Sequence, residues 1–74
     1  MTKEFTFGEN LRKLREKALI TQEVLASKLH ITHQSISKWE NNIALPSICF
    51  CIPLTVVLNC TLDELFVSFP KEVR

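Results

Sequence analysis

One glycine in 74 residues leaves this chain almost without the residue that most loosens a backbone. With an apolar share of 46%, that scarcity favours a packed helical domain over disorder. Charge is missing from one long stretch: Asn41 to Leu62 holds no acid or base apart from its cysteines. Within it, Ile43 to Leu62 is of marginal length for a membrane span, and Pro46, Ser47, Pro53, Thr55, Asn59 and Thr61 interrupt it, so no crossing of a membrane is expected. No basic segment followed by an apolar run opens the chain, so the reading is of a cytoplasmic protein without a secretory leader. The net charge of +1 excludes a molecule that holds polyanions by its overall charge, and any such surface must be local. Up to Glu40, seven lysines and arginines stand against five acids; beyond it, two stand against three.

Other classes fall away for want of partners. The cysteines, Cys49, Cys51 and Cys60, are three, clustered in an apolar run, which reads as reduced thiols rather than a disulfide framework. On a helix Cys49 and Cys51 point to different sides, and no histidine nearby completes a set, so neither a metal nor a cofactor is expected. His30 and His33 lie close together without an evident acid or nucleophile, which argues against an enzyme. There is no internal repeat and no low-complexity segment. The length suits one domain over 1–74, near the lower size at which a single core sustains a fold.

What is present is helical punctuation. Thr6 with Glu9 makes a capping box, and Phe7, Leu11, Leu14 and Ala18 recur at helical spacing, predicting a first helix to about Ala18. Leu19-Ile20 connect it to a second, capped by Thr21, with Leu25, Ala26 and Leu29 facing inward. Ala26 is small enough for a steep crossing of two helices. Ile31 should plug the turn into the core, and Thr32 should cap a third helix whose inner side is Ile36 and Trp39, with Glu40 at its edge and Asn42 as a left-handed stop. Ile48 to Leu58 predicts a fourth helix, kinked at Pro53 or starting near it, with the kink preferred. Asn59 and Cys60 end it, and Thr61 with Glu64 forms a second capping box for a last short helix to about Phe66. Phe5-Thr6-Phe7 and Val67-Ser68-Phe69 alternate, which leaves open a short strand pair of the termini.

The densest information lies in Thr21 to Asn42, two short helices joined by the three-residue turn His30-Ile31-Thr32. A pair of this kind can push a rigid polar helix into the major groove of DNA. On a 100° wheel Gln34, Ser37, Lys38 and Asn41 lie opposite Ile36, with His33 and Ser35 on the flanks. No acidic side chain occupies that outward face. The Gln34 amide can bond adenine bidentately, Lys38 can donate to guanine, Ser37 is permissive, and His33 can reach a base or a phosphate.

With Gln22, Leu25, Ala26, Leu29, Ile31, Thr32, Ile36, Ser37, Trp39, Glu40 and Asn41 in place, the segment resembles the helix-turn-helix family of phage repressors, Cro proteins and their bacterial relatives. Such domains commonly read T-Q-x-x-L-A-x-x-L-x-[IV]-[ST]-x-x-x-I-S-x-W-E-N. Leu11, Leu14 and Arg15 look like the family's first helix, Leu45-Pro46 like its loop, and Thr61 to Phe66 like its fifth helix, so the likeness covers roughly residues 7 to 66. The chain departs from the pattern where His30 stands for the usual turn glycine and Asn42 for the glycine after the third helix. Cys49, Phe50, Pro53 and Val56 stand where the family generally shows polar side chains.

The resemblance implies an all-α, five-helix, lambda-repressor-like DNA-binding domain. It implies a phosphate clamp at Gln22, backbone-contacting positions at Thr32, Ser35 and Asn41, and an ion pair between Arg15 and Glu40. It further implies a transcriptional regulator, a repressor in a bacterium or phage, that binds a palindromic operator in double-stranded DNA as a homodimer without a small-molecule ligand. The apolar Cys49, Phe50, Pro53 and Val56 are the candidate dimer surface. Alternatively, kinking at Pro53 turns them into the monomer's own core, or the 48–58 surface serves an antitoxin-like, partner-binding protein. A further alternative is an interaction module that kept the fold and lost DNA binding. With no room for a sensing domain, control would come from protein level, a partner or oligomerisation.

Overall fold

The computed structural model describes residues 7–66, and most of the helix starts and stops written into that part of the sequence are used. Within those residues run α1 (Phe7–Lys17), α2 (Gln22–Leu29), α3 (His33–Glu40), α4 (Ile48–Leu58) and α5 (Leu62–Phe66). α1 packs on α3 and α5, α2 on α3 and α4, and α4 on α5. Each helix sends at least one fully buried side chain to a shared centre: Phe7 and Leu11, Leu25, Ile36, Leu54, and Leu65. Burial of each such side chain contributes about 1.5–3 kcal/mol, which is how so short a chain holds five helices. Phe7 lies in α1, its ring 4.9 Å from that of Phe66. It is therefore helical, not part of a terminal strand; Phe5, Thr6 and Val67–Phe69 lie outside the described residues, as does the capping box at Thr6.

Two caps are formed as their residue types suggest. The Thr21 hydroxyl accepts from the Val24 amide at 3.0 Å, opening α2. Thr61 and Glu64 bond reciprocally, Thr61 N donating to Glu64 Oε1 at 2.9 Å and Glu64 N to Thr61 Oγ1 at 3.1 Å. Thr32 differs from expectation. Its backbone is extended, as at a cap, but its hydroxyl makes no capping bond; the Ser35 amide turns instead to the Thr32 carbonyl at 3.1 Å, a tighter first turn that leaves the hydroxyl to the surface.

The near-absence of glycine has a visible consequence at the helix ends. Leu19, His30, Asn42 and Asn59 all take left-handed backbones, with φ of 63°, 62°, 60° and 53°. Each donates to the carbonyl three residues back, and the following amide reaches the carbonyl five back, as with Ile31 to Ala26 at 3.0 Å. Three of the following residues, Ile20, Ile31 and Cys60, pack against the core and anchor their turns. Ile43 does not; it is 71% exposed.

The lone glycine sits inside α1. A Cβ on Gly8 would collide with the carbonyl oxygen of Glu40 and stand 2.7 Å from that of Trp39, so α1 lies directly on the C-terminal end of α3. The Gly8 amide donates to Asn42 Oδ1 at 2.9 Å, fastening that crossing.

α4 begins at Ile48, so Pro53 lies within it rather than at its start. Cys51, Leu54 and Leu58 face inward. Phe50, a candidate for the dimer surface or alternatively for the monomer's own core, is half-buried and packs against the core, its ring 5.6 Å from that of Trp39. Pro53 is also half-buried; Cys49 and Val56 are exposed.

Gly8 and Leu19 should respond oppositely to substitution. Gly8→Ala should destabilise the fold by about 3 kcal/mol, because backbone must move to admit the methyl. Leu19→Gly should stabilise it by about 0.5–1 kcal/mol, because the left-handed penalty outweighs the added freedom of the unfolded chain. Urea unfolding of the two variants checks both signs.

Burial raises the thiol pKa of Cys51, and burial followed by the charge of Glu64 raises that of Cys60. A group with a raised folded pKa contributes stability that is complete below its unfolded value, about 8.5, and is lost as pH rises through the folded value. The chain has no tyrosine to titrate in the same range. Thermal melts at pH 7 and pH 10 should therefore show a smaller alkaline drop in Tm for the Cys51→Ala, Cys60→Ala double variant than for the unaltered protein.

Candidate nucleic-acid interface

α3 is two-faced in a way its residue types dictate. Ile36, Trp39 and Glu40 are buried; His33, Gln34 and Lys38 are exposed, and Ser35 and Ser37 are half-buried between the two sides. The outward side thus gathers an imidazole, an amide and an ammonium within two turns. Asn41, just past the helix, is exposed, and its Nδ2 donates back to the Ser37 carbonyl at 2.9 Å and lies 3.3 Å from its hydroxyl. The backbone amides from Asn41 to Ala44 all bond carbonyls of α3.

Glu40 is the pivot behind this face. Expected at the edge of the apolar stripe and in an ion pair with Arg15, it is 3% exposed, with its carboxylate wholly covered. Arg15 of α1 meets it through two donors, Nε to Oε2 at 2.6 Å and NH2 to Oε1 at 3.1 Å. The third arm of the guanidinium, NH1, donates to the Ile20 carbonyl at 2.9 Å. Gln22 of α2 donates from Nε2 to Glu40 Oε1 at 3.0 Å, and Arg12 approaches the same oxygen at 3.8 Å. Hydrogen bonding to Glu40 holds the Arg15 guanidinium above its ordinary pKa, against the opposing pull of burial. One carboxylate therefore ties three helices together just behind the polar face of α3.

Gln22 is half-buried at the start of α2. One of its amide hydrogens goes to Glu40, which orients the side chain, and the second suits an anion at the helix start. Thr32 is exposed at the entry to α3. Three contributors were missed from the sequence: Gly8, the acceptor side chain of Asn42, and Arg12 as a further cation near Glu40. The lone glycine inside a helix was the one available hint of a close backbone approach.

Among the described residues, no group of three or more His, Cys, Asp and Glu side chains is placed to hold a metal, and no helix is long and apolar enough to cross a membrane. The helix-turn-helix family model matches residues 11–65, from the second turn of α1 to α5. The chain belongs to that family, of the phage repressor and Cro type. Among relatives, it is 38% identical over 60 residues to the HTH-type transcriptional regulator DicA of Escherichia coli strain K12, a match covering 81% of this chain and 44% of DicA. It is 36% identical over 59 residues to the HTH-type transcriptional activator BcrR of Enterococcus faecalis, covering 80% of this chain and 29% of BcrR. The chain thus spans less than half the length of these two curated relatives. Its fold superposes on the P22 c2 repressor in complex with a synthetic operator with a TM-score of 0.81 and 28% identity, covering 92% of this chain and 100% of that one. The restriction-modification controller protein C.AhdI from Aeromonas hydrophila gives a TM-score of 0.74 at 28% identity, over 81% and 87% of the two chains. The helix-turn-helix domain here is α2, the His30–Thr32 turn and α3, braced by α1.

Replacing one partner of the Arg15–Glu40 pair strands the other in a covered site. Arg15→Ala or Glu40→Ala should each cost about 3–5 kcal/mol of stability, and the double variant should cost clearly less than the two losses added together. Denaturant unfolding of the three variants measures the difference.

Proposed function

We propose that this helix-turn-helix protein is a sequence-specific, double-stranded DNA-binding transcriptional regulator that sets α3 into the major groove. His33, Gln34, Ser37 and Lys38 read base edges; Gln22, Thr32, Ser35 and Asn41 hold the phosphate backbone. The observation that carries this reading is the exposed, acid-free side of α3, held out by the covered carboxylate of Glu40 behind it. The likeness to a repressor studied on its operator supports the same reading. Asn41 must release or share its bonds to Ser37 to meet a phosphate, a small rearrangement at an exposed side chain.

One short recognition helix covers only a few base pairs, so the protein acts as a homodimer on a palindromic operator with half-sites about one helical turn apart. The unit spanning residues 1–74 works in the cytoplasm of a bacterium or of a phage-infected cell, without catalysis. It represses where its operator overlaps a promoter, because bound protein and polymerase exclude one another.

Selection from random duplexes should enrich a palindromic site. Gln34→Ala and Lys38→Ala should each weaken binding to it by about 1–3 kcal/mol and relax preference at the base pair concerned. Affinity should fall steeply with added salt, and Gln22→Ala should weaken all duplexes alike. Enrichment of no sequence by the folded protein would overturn the proposal.

A further inference from the structure

The four residues proposed to hold the DNA backbone, Gln22, Thr32, Ser35 and Asn41, carry no charge. Much of the affinity for duplex DNA comes from cations that displace counterions from phosphates, so a charged contact is wanting beside them. The net charge of +1 means that such a cation must be local. Arg12 of α1 stands where one is needed. Its guanidinium and that of Arg15 both face Glu40, two positive charges against one negative. Arg15 is 13% exposed and meets the carboxylate with two bonds, at 2.6 and 3.1 Å. Arg12 stands off at 3.8 Å, beyond hydrogen-bond length, and its side chain is 52% exposed. One positive charge is therefore left over at the surface of this cluster.

We infer that Arg12 shares one DNA phosphate with Gln22, leaving the edge of the Glu40 site to grip it when the duplex arrives. This assignment rests on the reading of the protein as a DNA binder and names a further residue of that interface. Arg12 Nε and Gln22 Nε2 approach the same oxygen, Glu40 Oε1, at 3.8 and 3.0 Å, so the two nitrogens stand within about 7 Å of each other. The two outer oxygens of one phosphate, each taking a donor at about 2.8 Å, bridge a gap of that size. Glu40 thus positions both groups at once. Arg15 stays on the carboxylate when Arg12 moves, so the transfer strands no buried charge. Glu9 and Glu16, one turn either side of Arg12 on α1, line the same surface groove with Lys13. Both are exposed, and ion pairs on a wet helix surface are weak and readily exchanged for a phosphate.

The test is binding of the full chain to its selected duplex, by fluorescence anisotropy over a series of salt concentrations. Arg12→Ala should weaken binding to all duplexes alike, by about tenfold for each copy bound at about 0.1 M salt. It should also lower the slope of log affinity against log salt by about one for each copy. Arg12→Lys should keep the slope, since the charge remains, and lose part of the affinity, since an ammonium cannot make parallel bonds. The thermal melt of Arg12→Ala should be nearly unchanged, because its tie to Glu40 is long and half-exposed. Lys17, an exposed cation of the same helix, lines the cleft with Val57, Leu58 and Asn59 instead, and Lys17→Ala should move the slope far less. The losses of Arg12→Ala and Gln22→Ala should not simply multiply in the double variant, because one phosphate joins them. A folded Arg12→Ala that keeps affinity and slope, an equal effect of Lys17→Ala, or losses that multiply would overturn the shared phosphate while leaving DNA recognition in place. A large drop in Tm for Arg12→Ala would assign the side chain to the fold and overturn it too. Enrichment of no sequence by the folded, unaltered protein would instead remove the reading beneath it.

Discussion

The covered carboxylate of Glu40 is the constraint on which the rest of this structure hangs. An ionised side chain wholly removed from water is tolerable only when its oxygens are met by well-aligned donors, and here the donors come from two other helices. Arg15 arrives from α1 with two parallel bonds and spends its remaining arm on the Ile20 carbonyl, so the guanidinium also fixes the turn that leads into α2. Gln22 arrives from the first position of α2. The result sets the relative placement of three helices at a single point, directly behind the polar side of α3. Apolar packing alone would hold these helices together, but it is less exacting about rotation and register than bidentate bonding.

The second constraint is backbone handedness. Short helices must stop abruptly if five of them are to fold back on one another within the 60 described residues, and each abrupt stop uses a left-handed residue. This chain meets that need with two asparagines, a histidine and a leucine, and keeps its only glycine for the place where α1 lies on the backbone of α3. Asparagine tolerates the left-handed region through local hydrogen bonding, and at Asn42 the side chain does more, accepting from the Gly8 amide and so joining the stop of α3 to the seat of α1. Leu19, 90% exposed, has no such compensation and carries its strain openly.

Much of this was legible in the residues, and the rest was hidden for identifiable reasons. Caps at Thr21 and Thr61 involve partners three residues away, so local spacing reveals them. The two sides of α3 could be assigned because apolar and polar residues alternate at helical period. α4 offers no such contrast: nearly every position is apolar, so periodicity cannot say which side faces in, and departures from a family pattern pointed to Phe50 and Pro53 where Ile48 and Ile52 are the exposed ones. The contact of Gly8 with Glu40 and Asn42 spans more than thirty residues of chain, beyond any local pattern. The helical wheel placed Glu40 only at the edge of a stripe, because it counts residue types and cannot see an arginine brought across from another helix; the family resemblance supplied that partner, Arg15.

On the proposed function, the outward side of α3 is the part of the molecule that meets nucleobases. The most direct measurement is a nuclear magnetic resonance titration of the isotope-labelled protein with its selected duplex, followed at the α3 backbone amides and the Gln34 side-chain amide. Large shifts are expected at His33 to Lys38, above all at the Gln34 amide group, with smaller ones at Gln22. Shifts gathered on Ile48 to Val56, with α3 unmoved, would contradict that function.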